Sequence, residues 1–175
     1  MSRLKLESYK RVMDVYWDCP SLQFRAIIVD QDTVDYEAFH EGDKELGFYK
    51  FYYEMLEKWL LPENSYTILL DYKNDSYASR LPVLRQMVAN YCGARQAEVR
   101  ELTSIDSGQS HLSQVCDLLT GALAADANGL QTGTPKHELI QYLAQRRGIS
   151  PLSARSVSPA MSKFNVFRIA LRRTA

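Results

Sequence analysis

An α/β fold, with a mostly parallel sheet covered by helices, is what this sequence predicts, and three observations predict it. Short apolar segments alternate along the chain with longer segments of helical periodicity. One of the short segments, Tyr66-Thr-Ile-Leu-Leu-Asp71, is apolar without alternation, as expected of a strand covered on both faces. Strands separated by helices of this length join through right-handed crossovers, which favours parallel pairing.

Each element has its own local argument. Leu4, Leu6, Tyr9, Val12, Met13 and Tyr16 recur at three- and four-residue spacing, so residues 3–17 form an amphipathic helix that stops at Cys19-Pro20. Phe24-Arg-Ala-Ile-Ile-Val-Asp30 is a β-branched run ended by the turn-forming Gln31-Asp32-Thr33. Residues 43–61 carry Leu46, Phe48, Tyr49, Tyr52, Tyr53, Met55, Leu56, Trp59 and Leu60 and end before Pro62, so they form a long helix bearing much of the aromatic core. Strand 66–71, a polar turn at 72–77, a helix at 80–92 and an exposed strand at 97–102 follow. Ser104 to Ser110 is a polar loop with several N-cap oxygens ahead of an apolar helix at 111–125. Beyond a linker at 126–135 come a short helix at 136–147 and a strand at 164–171, where Phe167, Ile169 and Leu171 alternate. The whole is expected to be one domain, with a body at 1–125 and a linker, helix and basic strand at 126–175.

Composition excludes several classes. With 175 residues, 46% of them apolar, the chain can bury roughly 70% of its unfolded surface and needs no metal or disulfide staple. No run of about 18 apolar residues exists, and the first seven residues lack the apolar centre of a signal peptide, so no membrane association and a cytoplasmic location are expected. Cys19, Cys92 and Cys116 form no Cys-x-x-Cys and are expected to be small buried hydrophobes. The zero net charge is a balance of unlike parts. Residues 1–75 hold 9 Lys or Arg against 15 Asp or Glu, and residues 135–175 hold 8 against 1. A basic end beside an acidic body suits a polyanion such as nucleic acid, or is simply a solvated surface.

Two places can carry chemistry. In open α/β sheets ligands bind beyond the carboxyl ends of strands, and both 24–30 and 66–71 finish on an aspartate. For Asp30 the following Gln-Asp-Thr favours a turn; Asp71 is either a rim carboxylate or a turn cap. On the helix after Asp106-Ser107-Gly108-Gln109, the residues Ser110, Gln114, Asp117 and Gly121 fall on one stripe. Among Val115, Cys116, Leu118 and Leu119, a buried Asp117 would need a cation, donors or a metal; otherwise Gln114 and Asp117 cap backbone. Gly121 is expected to let the helix approach the sheet closely. Asp71 and Asp117 together suit Mg2+ or Mn2+, which would activate water and clamp a phosphodiester. His111 either faces this site or is a surface residue.

Ile68-Leu-Leu-Asp71-Tyr-Lys73, Ser107 with Ser110, Leu112-Ser-Gln114-Val-Cys-Asp117-Leu-Leu-Thr-Gly121 and Phe48-Tyr-Lys-Phe-Tyr-Tyr53 resemble a bacterial and phage family known as domain of unknown function thirty-eight hundred. The resemblance runs from about residue 3 to about 171 and implies a ribonuclease-H-like three-layer fold, a mixed sheet with helices on both faces. It also implies a nuclease whose metal is held by aspartates, of which only Asp71 and Asp117 have counterparts here. Asp106, Ser107, Ser110, Gln114 and Lys73 would then steady those ligands or touch substrate. The family's opening Asp-Glu-Ser strand and the strand after it have no counterpart, so the expectation is an N-terminally truncated sheet with weak or absent activity. Either the chain is a fragment of a longer one, or a separate chain or a homo-oligomer supplies the missing strands, or the two remaining strands close up through the helix between them; truncation or a split gene is the favoured expectation. The alternative is a non-catalytic interaction module of a defence or mobile-element system.

Overall fold

The computed structural model describes residues 3–35, 37, 42–71, 80–129, 134–156 and 163–169. In chain order its elements are α1 (Arg3–Asp18), β1 (Phe24–Val29), α2 (Lys44–Trp59), β2 (Ser65–Asp71), α3 (Arg80–Gly93), β3 (Glu98–Ile105), α4 (His111–Ala127), α5 (Pro135–Arg147) and β4 (Phe164–Ile169). The helix ends follow local chemistry. Asp43 caps α2, its Oδ1 accepting the N–H groups of Glu45 at 2.8 Å and Leu46 at 3.1 Å. Ser110 Oγ takes the Ser113 N–H at 3.2 Å ahead of α4, and Thr134 Oγ1 takes the His137 N–H at 3.2 Å ahead of α5. Pro135 opens α5, where a missing N–H is harmless, and Gly148 closes it at φ 72°, a left-handed conformation in which a Cβ would be strained.

The protein is mixed α/β, but its strands do not join one sheet. β1 pairs with β4, and β2 pairs with β3. The described residues gather into two compact units, one built from 1–28 and 110–169 and the other centred on 29–109, limits that lie far from the 125/126 division read from the sequence. The reason is packing: α1, from the start of the chain, lies against α4 and α5, and those two helices lie against each other. The apparent linker at 126–135 therefore connects two helices of one core; residues 130–133 are outside the described set.

In the first unit Met13, Leu119, Leu139, Leu143, Leu152, Phe24, Phe164 and Val166 form the core. β1 and β4 start side by side, with Phe24 N–H donating to the Lys163 carbonyl at 2.9 Å. The Tyr16 hydroxyl donates to the same carbonyl at 2.5 Å, and burial pushes its phenol well above the ordinary value. α1 and α5 are also tied by polar groups: Tyr142 donates to Asp14, and Arg146 pairs with Asp18 at 3.1 Å and Asp14 at 3.6 Å while lying over the Trp17 ring. After α5 the chain is held by Arg147, whose guanidinium donates to the Leu152 carbonyl and, at 2.9 Å, to Ser156 Oγ. Ser156 in turn meets β4, its N–H donating to the Val166 carbonyl at 3.0 Å and its Oγ accepting the Val166 N–H at 2.8 Å.

The second unit places α2 and α3 on one face of the parallel pair β2–β3. Its core is Leu56, Leu60, Leu84, Val88, Cys92 and Leu102, with Tyr66, Ile68 and Leu70 packed against it. The sequence suggests that β2 is covered on both faces, yet its residues alternate: Ser65, Thr67, Leu69 and Asp71 are exposed. Within this unit the described helices lie over one face of the pair, so a continuous apolar run overstates the burial. β3 runs on to Ile105, three residues past its expected end, so the polar loop begins only at Asp106. The register pairs Ser65 with Glu98, Tyr66 with Val99 and Thr67 with Glu101, so Arg100 is an extra residue in a bulge. Of the cysteines, Cys92 is buried but Cys116 is exposed, against the expectation for all three.

Asp43 also joins α2 to α3 through an ion pair with Arg80. The Leu46 N–H foremost, opposed by burial and helped by the Glu45 N–H and Arg80, holds the Asp43 carboxyl below the usual carboxylate range. A carboxyl depressed in the folded state contributes stability above its unfolded pKa of about 3.9, and that contribution is lost as pH falls through the lower folded value. Asp43→Asn, which keeps the cap acceptor but not the charge, is expected to melt below the parent at neutral pH, with the gap closing in acid. Thermal unfolding at both pH values checks this, and a gap that persists in acid would mean the charge is not the cause.

Candidate functional site

Two parallel strands that start in register also end together, and here both end on an acid. Asp71 closes β2 opposite Ile105 of β3, and Asp106 is the next residue. Both border a shallow hollow of about 340 Å³ lined by Asp71, Ser104, Ile105 and Asp106. The backbone that follows turns its donors toward these carboxylates. Ser107 N–H donates to Asp71 Oδ1 at 3.3 Å, Gly108 N–H donates to Asp106 Oδ1 at 2.9 Å, and Gln109 N–H donates to the Asp106 carbonyl at 2.9 Å. Glycine at 108 suits this close approach, since a Cβ there would lie 3.1 Å from Asp106 Oδ1. Both carboxylates are solvent-exposed, so neither carries the cost of a buried lone charge.

The other expected ligand belongs to a different unit. Asp117 lies on α4, in the unit of residues 1–28 and 110–169, whereas Asp71 belongs to the unit of residues 29–109. Among the described residues no group of three or more His, Cys, Asp or Glu is placed to hold a metal. The stripe of Ser110, Gln114, Asp117 and Gly121 runs along the side of α4 opposite its buried Leu119, Ala122 and Leu123; Gln114 and Asp117 are exposed, and Ser110 caps the helix. That position removes the argument that Asp117 must find a cation. Nothing described packs within 4 Å of a Cβ built on Gly121, so the expected close approach to a sheet is absent there. His111 is exposed, Lys73 lies outside the described residues, and Asp30 accepts the Asp32 N–H at 3.2 Å as the turn residue its sequence suggests.

The basic end is also partly consumed by the fold. Of its described cations, Arg146 and Arg147 are engaged as above, Lys163 donates to the Cys19 carbonyl, and Arg168 donates to the Ser153 carbonyl at 3.3 Å. Lys136 and Arg155 are exposed. Charge counted along the sequence therefore overstates the positive surface offered to a polyanion.

Sequence reasoning gives Asp106 a supporting role, whereas the register sets it directly after Ile105, the residue opposite Asp71. The signal was present in the chain: Ile105-Asp106 repeats the apolar-then-acidic ending of Leu70-Asp71. It was masked by reading β3 as ending at 102. No helix of the described residues is long and apolar enough to cross a membrane. No protein-family model, no curated protein and no solved structure matches the chain.

Proposed function

We propose that the hollow at the ends of β2 and β3 holds an oxygen-seeking divalent cation, Mg2+ or Mn2+, between Asp71 and Asp106, and that the protein is a metal-dependent nuclease acting on nucleic-acid phosphodiesters. The observation that carries this reading is the pairing of two exposed carboxylates at the carboxyl ends of adjacent parallel strands. The donor set fits such an ion: two carboxylates, with no thiolate or imidazole among the lining residues, leave room for the waters that Mg2+ keeps. When bound, the cation would polarise a phosphoryl oxygen and lower the pKa of a bound water. The chain's own residues do the positioning. Ser107 and Gly108 N–H groups orient one oxygen of each carboxylate. The ribonuclease-H-like reading of the fold is supported by the parallel pair and its helical layer.

The exposed stripe of Gln114 and Asp117 favours a second reading, a non-catalytic module that uses the outer side of α4 to bind a partner. The two readings differ in which substitution matters. Asp71→Asn and Asp106→Asn are each expected to abolish the rise in melting temperature produced by Mn2+, a stabilisation of about 2.7 kcal/mol at a hundredfold excess over Kd. Asp117→Asn is expected to keep it. Cleavage of labelled single- and double-stranded oligonucleotides with Mn2+ reads the activity. A parent chain indifferent to Mn2+, or one desensitised by Asp117→Asn alone, would overturn the proposal.

A further inference from the structure

β2 is an open edge. On the side away from β3 it has no hydrogen-bonded neighbour among the described residues. A pair of parallel strands is marginal in isolation, and parallel sheets are ordinarily covered on both faces. The two strands manage their edges differently. β3 carries Glu98, Arg100 and Glu101, is bulged at Arg100, and has its Leu102 carbonyl occupied by Arg85 Nε at 3.0 Å. Those are devices that discourage pairing. In β2, residues 65–70 hold no charge, no proline, no glycine and no bulge, and Leu69 is 49% exposed on the bare face.

We propose that β2 pairs antiparallel with β2 of a second copy of this chain, making a four-stranded sheet in the order β3-β2-β2-β3. The strand is complementary to itself. Turned about Ile68, it sets Tyr66 opposite Leu70 on the inner row and Thr67 opposite Leu69 on the bare row, with the Ser65 hydroxyl opposite Asp71 at each end. No like charges face each other, each Leu69 gains the Thr67 side chain, with its methyl group, as a cross-strand neighbour, and the inner rows that cover the α2–α3 cores run on across the axis. Twofold symmetry closes such a contact at two copies rather than building a filament. This pairing does not depend on the cation reading.

The experiment is sedimentation equilibrium of the full chain from micromolar to hundreds of micromolar concentration. The parent is expected at twice the chain mass. Leu69→Lys and, separately, Thr67→Lys alter exposed side chains outside the core and place two lysines in each interface, so each is expected to weaken association by about a hundredfold or more with circular dichroism unchanged. Leu112→Lys, at a residue 63% exposed on α4, is expected to leave the dimer intact. A parent that stays monomeric throughout, a dimer that withstands both β2 variants, or one broken by Leu112→Lys would each overturn the proposal.

Discussion

Leu143→Ala is expected to lower the stability of the unit built from residues 1–28 and 110–169 by about 3–5 kcal/mol. Leu143 is fully buried on α5, among Met13 of α1, Leu119 of α4 and Val166 of β4. Removing three carbons from that position takes away their transfer free energy and leaves a cavity that close-packed neighbours fill only partly. The cores of the two units share no residue. Native-state hydrogen exchange is therefore expected to accelerate in α1, α4, α5 and the β1–β4 pair, with amides of β2 and β3 little changed. Equal acceleration in both sets would mean that the protein unfolds as one cooperative body. Leu143→Met, which conserves volume, is expected to cost less than about 1.5 kcal/mol.

Arg147→Met is the second large expected loss, about 2–4 kcal/mol in the same unit. The guanidinium reaches two acceptors at once, the Leu152 carbonyl and Ser156 Oγ, while lying 5.2 Å from the centre of the Phe164 ring. Burial lowers its pKa from the ordinary arginine value. Through Ser156 it also fixes the segment that bonds Val166 of β4. Methionine keeps the apolar stem but leaves the Leu152 carbonyl and the Ser156 hydroxyl short of a donor. Arg147→Lys is expected to recover less than half of the loss, because a single ammonium on a flexible stem cannot reproduce the planar fork. Full rescue by lysine would show that charge, not geometry, matters. Urea unfolding followed by circular dichroism checks both variants.

The helices and strands were legible because their signals are local. The spacing of Leu6, Tyr9, Met13 and Tyr16 fixes α1, the caps at Asp43, Ser110 and Thr134 fix where three helices begin, and Asp30 forms the turn its neighbours suggest. Pairing was not legible. That β1 takes β4, about 140 residues away, rather than β2 depends on α1 packing with α4 and α5, which no short window records. The candidate site shows the same division. Asp71 stands out because a rim carboxylate after an apolar strand is a local pattern, but its partner is decided by the register that brings Ile105 beside it. Asp117 drew attention through helical spacing, and spacing identifies a stripe without saying whether it faces core or water. For the same reason the positive C-terminal residues overstate the free charge, since Arg146, Arg147, Lys163 and Arg168 look free until their acceptors are known.

The interrupted order of the chain also sets a timetable during synthesis. α1 and β1 leave the ribosome before residues 29–109, a contiguous stretch of 81 residues with its own core, and their packing partners start only at residue 110. At the roughly 5–20 residues per second of translation, that is a delay of about 4–16 s. During it the apolar stripe of α1 and the bare edges of β1 have no native contacts available, while residues 29–109 have time to fold first. Nascent-chain binding by chaperones is thus expected to concentrate on residues 3–28.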